Sequence, residues 1–113
     1  MINLTLTMLA HSNKRREFLS TCRLIFDRTR DEKGCLGCHL FQDVDNENLI
    51  HLEQTWAHRA GLDDHLRSNL FSALLGAMKL LGESHSIRID DGSEVDGLEA
   101  VTRARSTGGK HTH

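Results

Sequence analysis

The sequence predicts a single α+β domain, an antiparallel four-stranded sheet with helices on one face, and three observations lead there. Apolar and polar residues alternate through Ile2, Leu4, Leu6 and Met8, and again at Ile87 and Ile89, which is the two-residue period of a strand with one dry face. Two other stretches recur at helical spacing: Phe18, Cys22, Ile25, Phe26 and Thr29, then Phe71, Leu74, Leu75, Met78 and Leu81, each an apolar stripe on one side of a helix. Between them, residues 36–44 and 49–56 are separated only by Asp45-Asn46-Glu47-Asn48, the form of an antiparallel hairpin with a polar turn.

Taken in order, the first strand leads to Ser12 or Asn13, either of which offers a side-chain oxygen as a helix N-cap, with Glu17 near the positive end of the dipole. Leu19 widens the apolar stripe of this helix, and Lys14, Arg15, Arg16, Arg23, Arg28 and Arg30 take the opposite side, as a solvated face does. Asp31-Glu32-Lys33-Gly34 ends the helix, with Gly34 free to adopt a left-handed backbone. The hairpin follows and closes on Trp56, the only tryptophan. Residues 57–68 have helical composition apart from Gly61; Asn69 is expected to interrupt the helix, and Gly82 to stop its second piece. Residues 84–90 form the fourth strand, and Asp91-Gly92-Ser93 a turn. Residues 97–105, with Leu98 and Val101 as their apolar pair, predict a short peripheral helix. The domain is thus expected to span residues 1–92, with a C-terminal extension over 93–105 and a mobile tail over 106–113. Strand, helix, strand, strand, helix in two pieces, strand is the ferredoxin-like split βαβ order. No element of the chain covers the other face of such a sheet, so a homodimer with sheets face to face is expected.

Composition removes several function classes. The 113 residues carry a formal charge of -2 and no tyrosine, which gives no electrostatic or stacking reason to expect nucleic acid. No apolar run approaches the ~20 residues of a membrane helix, and the alternating N-terminus is unlike a signal peptide. Cys22, Cys35 and Cys38 are an odd set without a secretory signal, so reduced thiols and a cytoplasmic location are expected. Cys35-Leu36-Gly37-Cys38-His39 spells the covalent haem-attachment signature, and Cys35, Cys38 and histidines could also serve zinc. At the start of a regular strand, however, Cys35 and Cys38 would point to opposite faces, which disfavours both. His111 and His113 fall in the expected tail, and no resident metal is expected.

Phe18-Leu19, Gly34-Cys35-Leu36, Leu40-Phe41-Gln42-Asp43, Trp56 and His65-Leu66-Arg67-Ser68-Asn69-Leu70-Phe71, in this order and separation, resemble the antibiotic biosynthesis monooxygenase family over about residues 2–90. The resemblance implies a dimeric α+β barrel with a pocket in each subunit between sheet and helices. It also implies oxidation of electron-rich phenols, anthrones or quinols by dioxygen without metal or flavin. Other members of the wider superfamily degrade haem with a histidine ligand on the helix after Phe71, and residues 72–78 hold no histidine. A cofactor-free oxidation needs a base, an aromatic wall and a dry pocket. By the resemblance, His65 accepts the phenolic proton, Trp56 stacks on the ring, and Gln54, which shares the strand face of Trp56, orients an oxygen. Gln54 stands where relatives often carry a glutamate. Leu6, Phe26, Leu52, Phe71 and Leu75 are expected to line the cavity. Two alternatives remain: a non-catalytic dimeric module binding a small ligand in the same place, and a haem or metal protein using Cys35, Cys38 and His39.

Overall fold

The computed structural model describes residues 1–92, 95–97 and 101–106. Its elements are β1 (Ile2–Ala10), α1 (Arg15–Thr29), β2 (Cys35–Gln42), β3 (Leu49–Trp56), α2 (Arg59–Leu66), α3 (Asn69–Leu81), β4 (Gly82–Asp90) and β5 (Val95–Asp96), with residues 101–106 helical. The strands form one antiparallel sheet in the order β2-β3-β1-β4-β5. Its first four strands have the expected ferredoxin-like arrangement. The two-residue β5, too short to leave a period in the sequence, extends the edge beside β4.

The inner face is apolar row by row apart from the buried Gln54. Leu6 stands opposite Leu52 and Ile87, and Leu52 opposite Leu40; one rung away Leu4 stands opposite Gln54 and Ile89. Phe18, Cys22, Ile25 and Phe26 of α1 and Phe71, Leu74 and Met78 of α3 close over these rows. On the other face, Ser86, Thr7, His51 and Phe41 form one row across four strands, and Thr7 Oγ1 meets His51 Nδ1 at 3.1 Å. That face is polar and partly exposed, with Phe41 at 48 %, and no helix covers it among the described residues.

Several local expectations change. The N-cap of α1 is Lys14, without a side-chain cap bond, because residues 12–14 turn tightly and Lys14 N–H donates to the His11 carbonyl at 2.8 Å. Neither Ser12 nor Asn13 therefore stands at the capping position. Asn69 does not interrupt a helix. It is the first residue of α3, and Ser68 before it caps by accepting from Phe71 N–H at 3.1 Å. β2 begins at Cys35 and ends at Gln42 because Asp43 already belongs to the turn, its carboxylate accepting from the backbones of Asp45 and Asn46 at 3.0 Å. Gly82 passes from helix directly into strand, where a Cβ would lie 2.7 Å from the Met78 carbonyl and from Met8 Sδ. In the C-terminal extension Val101 and Ala104 join the core, and Ser106, expected in the tail, is helical. Residues 107–113, with His111 and His113, lie outside the described residues, as does the predicted apolar residue Leu98.

Candidate active site

The turn after α1 and the end of the hairpin build one corner of the core. Gly34 takes a left-handed backbone with φ 89°, reversing the chain so that its carbonyl accepts from Ala57 N–H at 2.8 Å. This ties the turn carrying Glu32 to the strand end carrying Trp56. α2 then lies against the same turn. His58 caps it, with Nδ1 accepting from Gly61 N–H at 3.2 Å. Gly61 allows the close approach, since a Cβ there would stand 3.0 Å from the Lys33 carbonyl and 3.5 Å from Trp56 Cε3. Ser68 closes the end of α2 by donating through Oγ to the His65 carbonyl at 2.6 Å.

His65 therefore projects inward, and its ring is fully buried. The imidazole lies 4.8 Å from the Trp56 ring at 31° and 5.3 Å from Phe71, edge to face. Its Nδ1 is 2.8 Å from Glu32 Oε2. Burial pushes the His65 pKa down to about 4, and burial also raises that of the Glu32 carboxyl. An imidazole with so low a pKa is neutral at pH 7, and when it donates to the Glu32 carboxylate its proton is on Nδ1. The lone pair then sits on Nε2, which has no partner among the described residues. A carboxylate holding one nitrogen while the other is left as the base is the arrangement that orients the histidine of hydrolytic triads.

Gln54 completes the corner. Trp56 Nε1–H donates to Gln54 Oε1 at 3.1 Å, which fixes the amide so that Nε2 is presented as donor, buried and unpartnered among the described residues. Buried polar atoms without partners are uncommon, and each calls for a reason such as a bound molecule or a catalytic role. Here a donor and an acceptor lie in the same aromatic corner.

His65, Trp56, Gln54 and Phe71 thus meet in one cluster. Leu6, Leu52 and Phe26 lie on the inner face of the sheet and on α1, buried in the common core. Leu75 is partly buried and faces elsewhere, into a cleft of about 330 Å³ with Lys79, His85, Val101, Thr102 and Arg105. A second cleft of about 330 Å³ lies between α1 and α3, along Leu24, Ile25, Leu70 and Ala73. Neither cleft reaches His65 or Trp56, whose rings touch each other. The sequence carries no signal for Glu32, which follows a helix and lies 33 residues from His65.

The cysteine segment departs from its expected geometry. A bulge places Cys35 opposite Trp56, Gly37 opposite Thr55 and Cys38 opposite Gln54. Leu36 is the extra residue, so Cys35 and Cys38 share the inner face instead of pointing apart. Their Sγ atoms are 3.8 Å from each other. His39, opposite exposed Glu53, lies on the outer face, so the three side chains of the haem-attachment pattern do not converge. Among the described residues no group of three or more His, Cys, Asp or Glu is placed to hold a metal ion, and no helix is long and apolar enough to cross a membrane.

The sheet order, with a histidine from the post-hairpin helix set against the tryptophan of the hairpin, defines a ferredoxin-like α+β fold. A sequence profile of the antibiotic biosynthesis monooxygenase family matches residues 1–76, and the chain belongs to that family. The fold is similar to that of a proposed antibiotic biosynthesis monooxygenase from Deinococcus radiodurans, with a TM-score of 0.77 and 20% identity over 83% of this chain and 94% of that one. A crystal structure of another antibiotic biosynthesis monooxygenase gives 0.74 and 21% over 83% and 100%. A conserved protein of Methanosarcina mazei Go1 gives 0.74 and 22% over 79% and 89%. Among curated sequences, an uncharacterised protein of Synechocystis sp. is 27% identical over 59 residues, 52% of this chain and 40% of the relative's length.

Proposed function

We propose that this chain is a monooxygenase that oxidises a small electron-rich hydroxylated aromatic, of quinol or anthrone type, with dioxygen, using no metal or flavin. The reading is carried by the Glu32–His65 pair: Nδ1 lies 2.8 Å from Glu32 Oε2, and Nε2, beside Trp56, has no partner among the described residues. In the proposed reaction the substrate hydroxyl gives its proton to His65 Nε2, and Glu32 stabilises the imidazolium that forms. The phenolate can then pass an electron to dioxygen. Gln54 Nε2–H donates to a substrate oxygen, Trp56 supplies the aromatic wall, and Leu6, Phe26, Leu52 and Phe71 keep the surroundings dry. His65 and Trp56 are fully buried, so a substrate must pass the side chains around them to reach Nε2. The working form is a homodimer joined through the sheet face that bears Thr7, His51 and Phe41, acting in the cytoplasm.

Complete burial of His65 and Trp56 favours a second reading, a dimeric module that binds a small aromatic and exchanges it slowly without turnover. Oxygen uptake with a panel of quinols and anthrones separates the two. The enzyme reading expects uptake above the uncatalysed rate that drops by roughly 10²-fold or more in His65→Ala. Saturable binding of the same compounds with no uptake above background would leave the binding module.

A further inference from the structure

We infer that Cys35 and Cys38 form a redox-active dithiol site, closed to an intrachain disulfide by a hydroperoxide and reopened by a small thiol. A C-x-x-C segment in a regular strand cannot do this, because residues three apart face opposite ways. The bulge at Leu36 removes the obstacle by consuming one residue, so the two thiols stand on successive inner rungs, opposite Trp56 and Gln54. Their sulfurs are already at 3.8 Å, against about 2.05 Å in a disulfide, so closing the bridge takes a further approach of the two thiols. The Cys35 thiol also makes a weak hydrogen bond to the Gly37 carbonyl at 3.7 Å.

Access is asymmetric. Cys35 is half-buried and can be met from solvent, whereas Cys38 is buried. Arg30 donates from Nη2 to the Cys38 carbonyl at 3.0 Å, placing a cation beside the pair. The chemistry follows from that order. The Cys35 thiolate attacks the peroxide, cleaving its O–O bond to give a sulfenic acid and hydroxide. The Cys38 sulfur then displaces that oxygen as water, and its proton leaves with it. Two thiols and one hydrogen peroxide become one disulfide and two waters. Cys22, buried in α1 and pushed up to about 12 by burial, has no thiol beside it and serves as an internal control.

The bridge would report directly on the candidate active site. Cys35 faces Trp56 across the hairpin, and its N–H donates to the Glu32 carbonyl at 3.1 Å. The thiol chemistry stands whether or not His65 supports turnover.

The test exposes the full chain to stoichiometric hydrogen peroxide and counts thiols after denaturation. Two of the three should be lost, with the tryptic peptide that contains both Cys35 and Cys38 lighter by two hydrogens and the chain remaining unlinked to other copies. Trp56 emission should fall, and dithiothreitol should restore both signals. Cys35→Ser should keep both remaining thiols and its emission under the same exposure. Cys38→Ala, which cannot close the bridge, should instead stop at a Cys35 sulfenic acid trapped by dimedone. Retention of all three thiols in the wild type, added oxygen at Cys35 in place of the bridge, or a disulfide between chains would each overturn the assignment.

Discussion

Acidification from pH 7 to pH 5 should remove about 2 kcal/mol of folding stability through His65 alone. The ring is fully buried, and burial holds its pKa near 4, against an ordinary value of 6.5. Below pH 6.5 the unfolded chain takes up a proton that the native state refuses, so stability falls as the pH drops from 6.5 towards 4. At each pH the loss is set by the difference in protonation, reaching about 2 kcal/mol at pH 5 and about 3 kcal/mol near pH 4. Glu32 acts with the opposite sign: its pKa is raised by burial, so its protonation at the acid end returns part of the loss. Urea unfolding of wild type and His65→Gln at pH 7 and pH 5 reads the histidine together with its bonded Glu32, because the groups away from this pair titrate alike in both proteins. The wild type should lose about 2 kcal/mol more than the variant over this interval. Equal losses would refute the reasoning. A wild type that gains stability relative to the variant on acidification would show that Glu32 holds the proton on the ring more strongly than burial expels it.

Glu32→Gln should lower quinol-dependent oxygen uptake by roughly 10²-fold while leaving the fold intact, since it removes the group that stabilises the imidazolium; steady-state uptake and circular dichroism check both halves. Leu52→Ala, which empties the centre of the inner face, should destabilise by about 2–5 kcal/mol in urea unfolding. Gly82→Ala should lower the melting temperature, because its Cβ would meet the Met78 backbone carbonyl at 2.7 Å. If the outer face joins the proposed homodimer, Phe41→Asp should give a folded monomer in sedimentation velocity where the wild type is a dimer, with its secondary structure unchanged.

The strands and helices were legible because their apolar residues keep a strict period over many residues. Leu4, Leu6 and Met8 in β1 and Phe71, Leu74 and Met78 in α3 face the core as that period requires. Features that hinge on one residue were not legible. The bulge at Leu36 has no signature, since an inserted leucine in an apolar strand looks like one more alternation, and the facing of Cys35 and Cys38 reversed with it. Ser68 was a readable cap, three residues before Phe71, but the polar Asn69 after it suggested a break where a helix begins. Family resemblance and strand facing point to His65, Trp56 and Gln54, which lie in one cluster. Glu32 was hidden because its partner is close only after Gly34 turns the chain and α2 folds back over that turn.

The tautomer of His65 tests the centre of this account most directly, by long-range nitrogen–proton correlation at pH 7. The account expects a proton on Nδ1 and a free lone pair on Nε2, with the Nε2 resonance moving as a quinol is titrated in under argon. A proton already on Nε2, or an Nε2 resonance that stays fixed through saturating quinol, would contradict it.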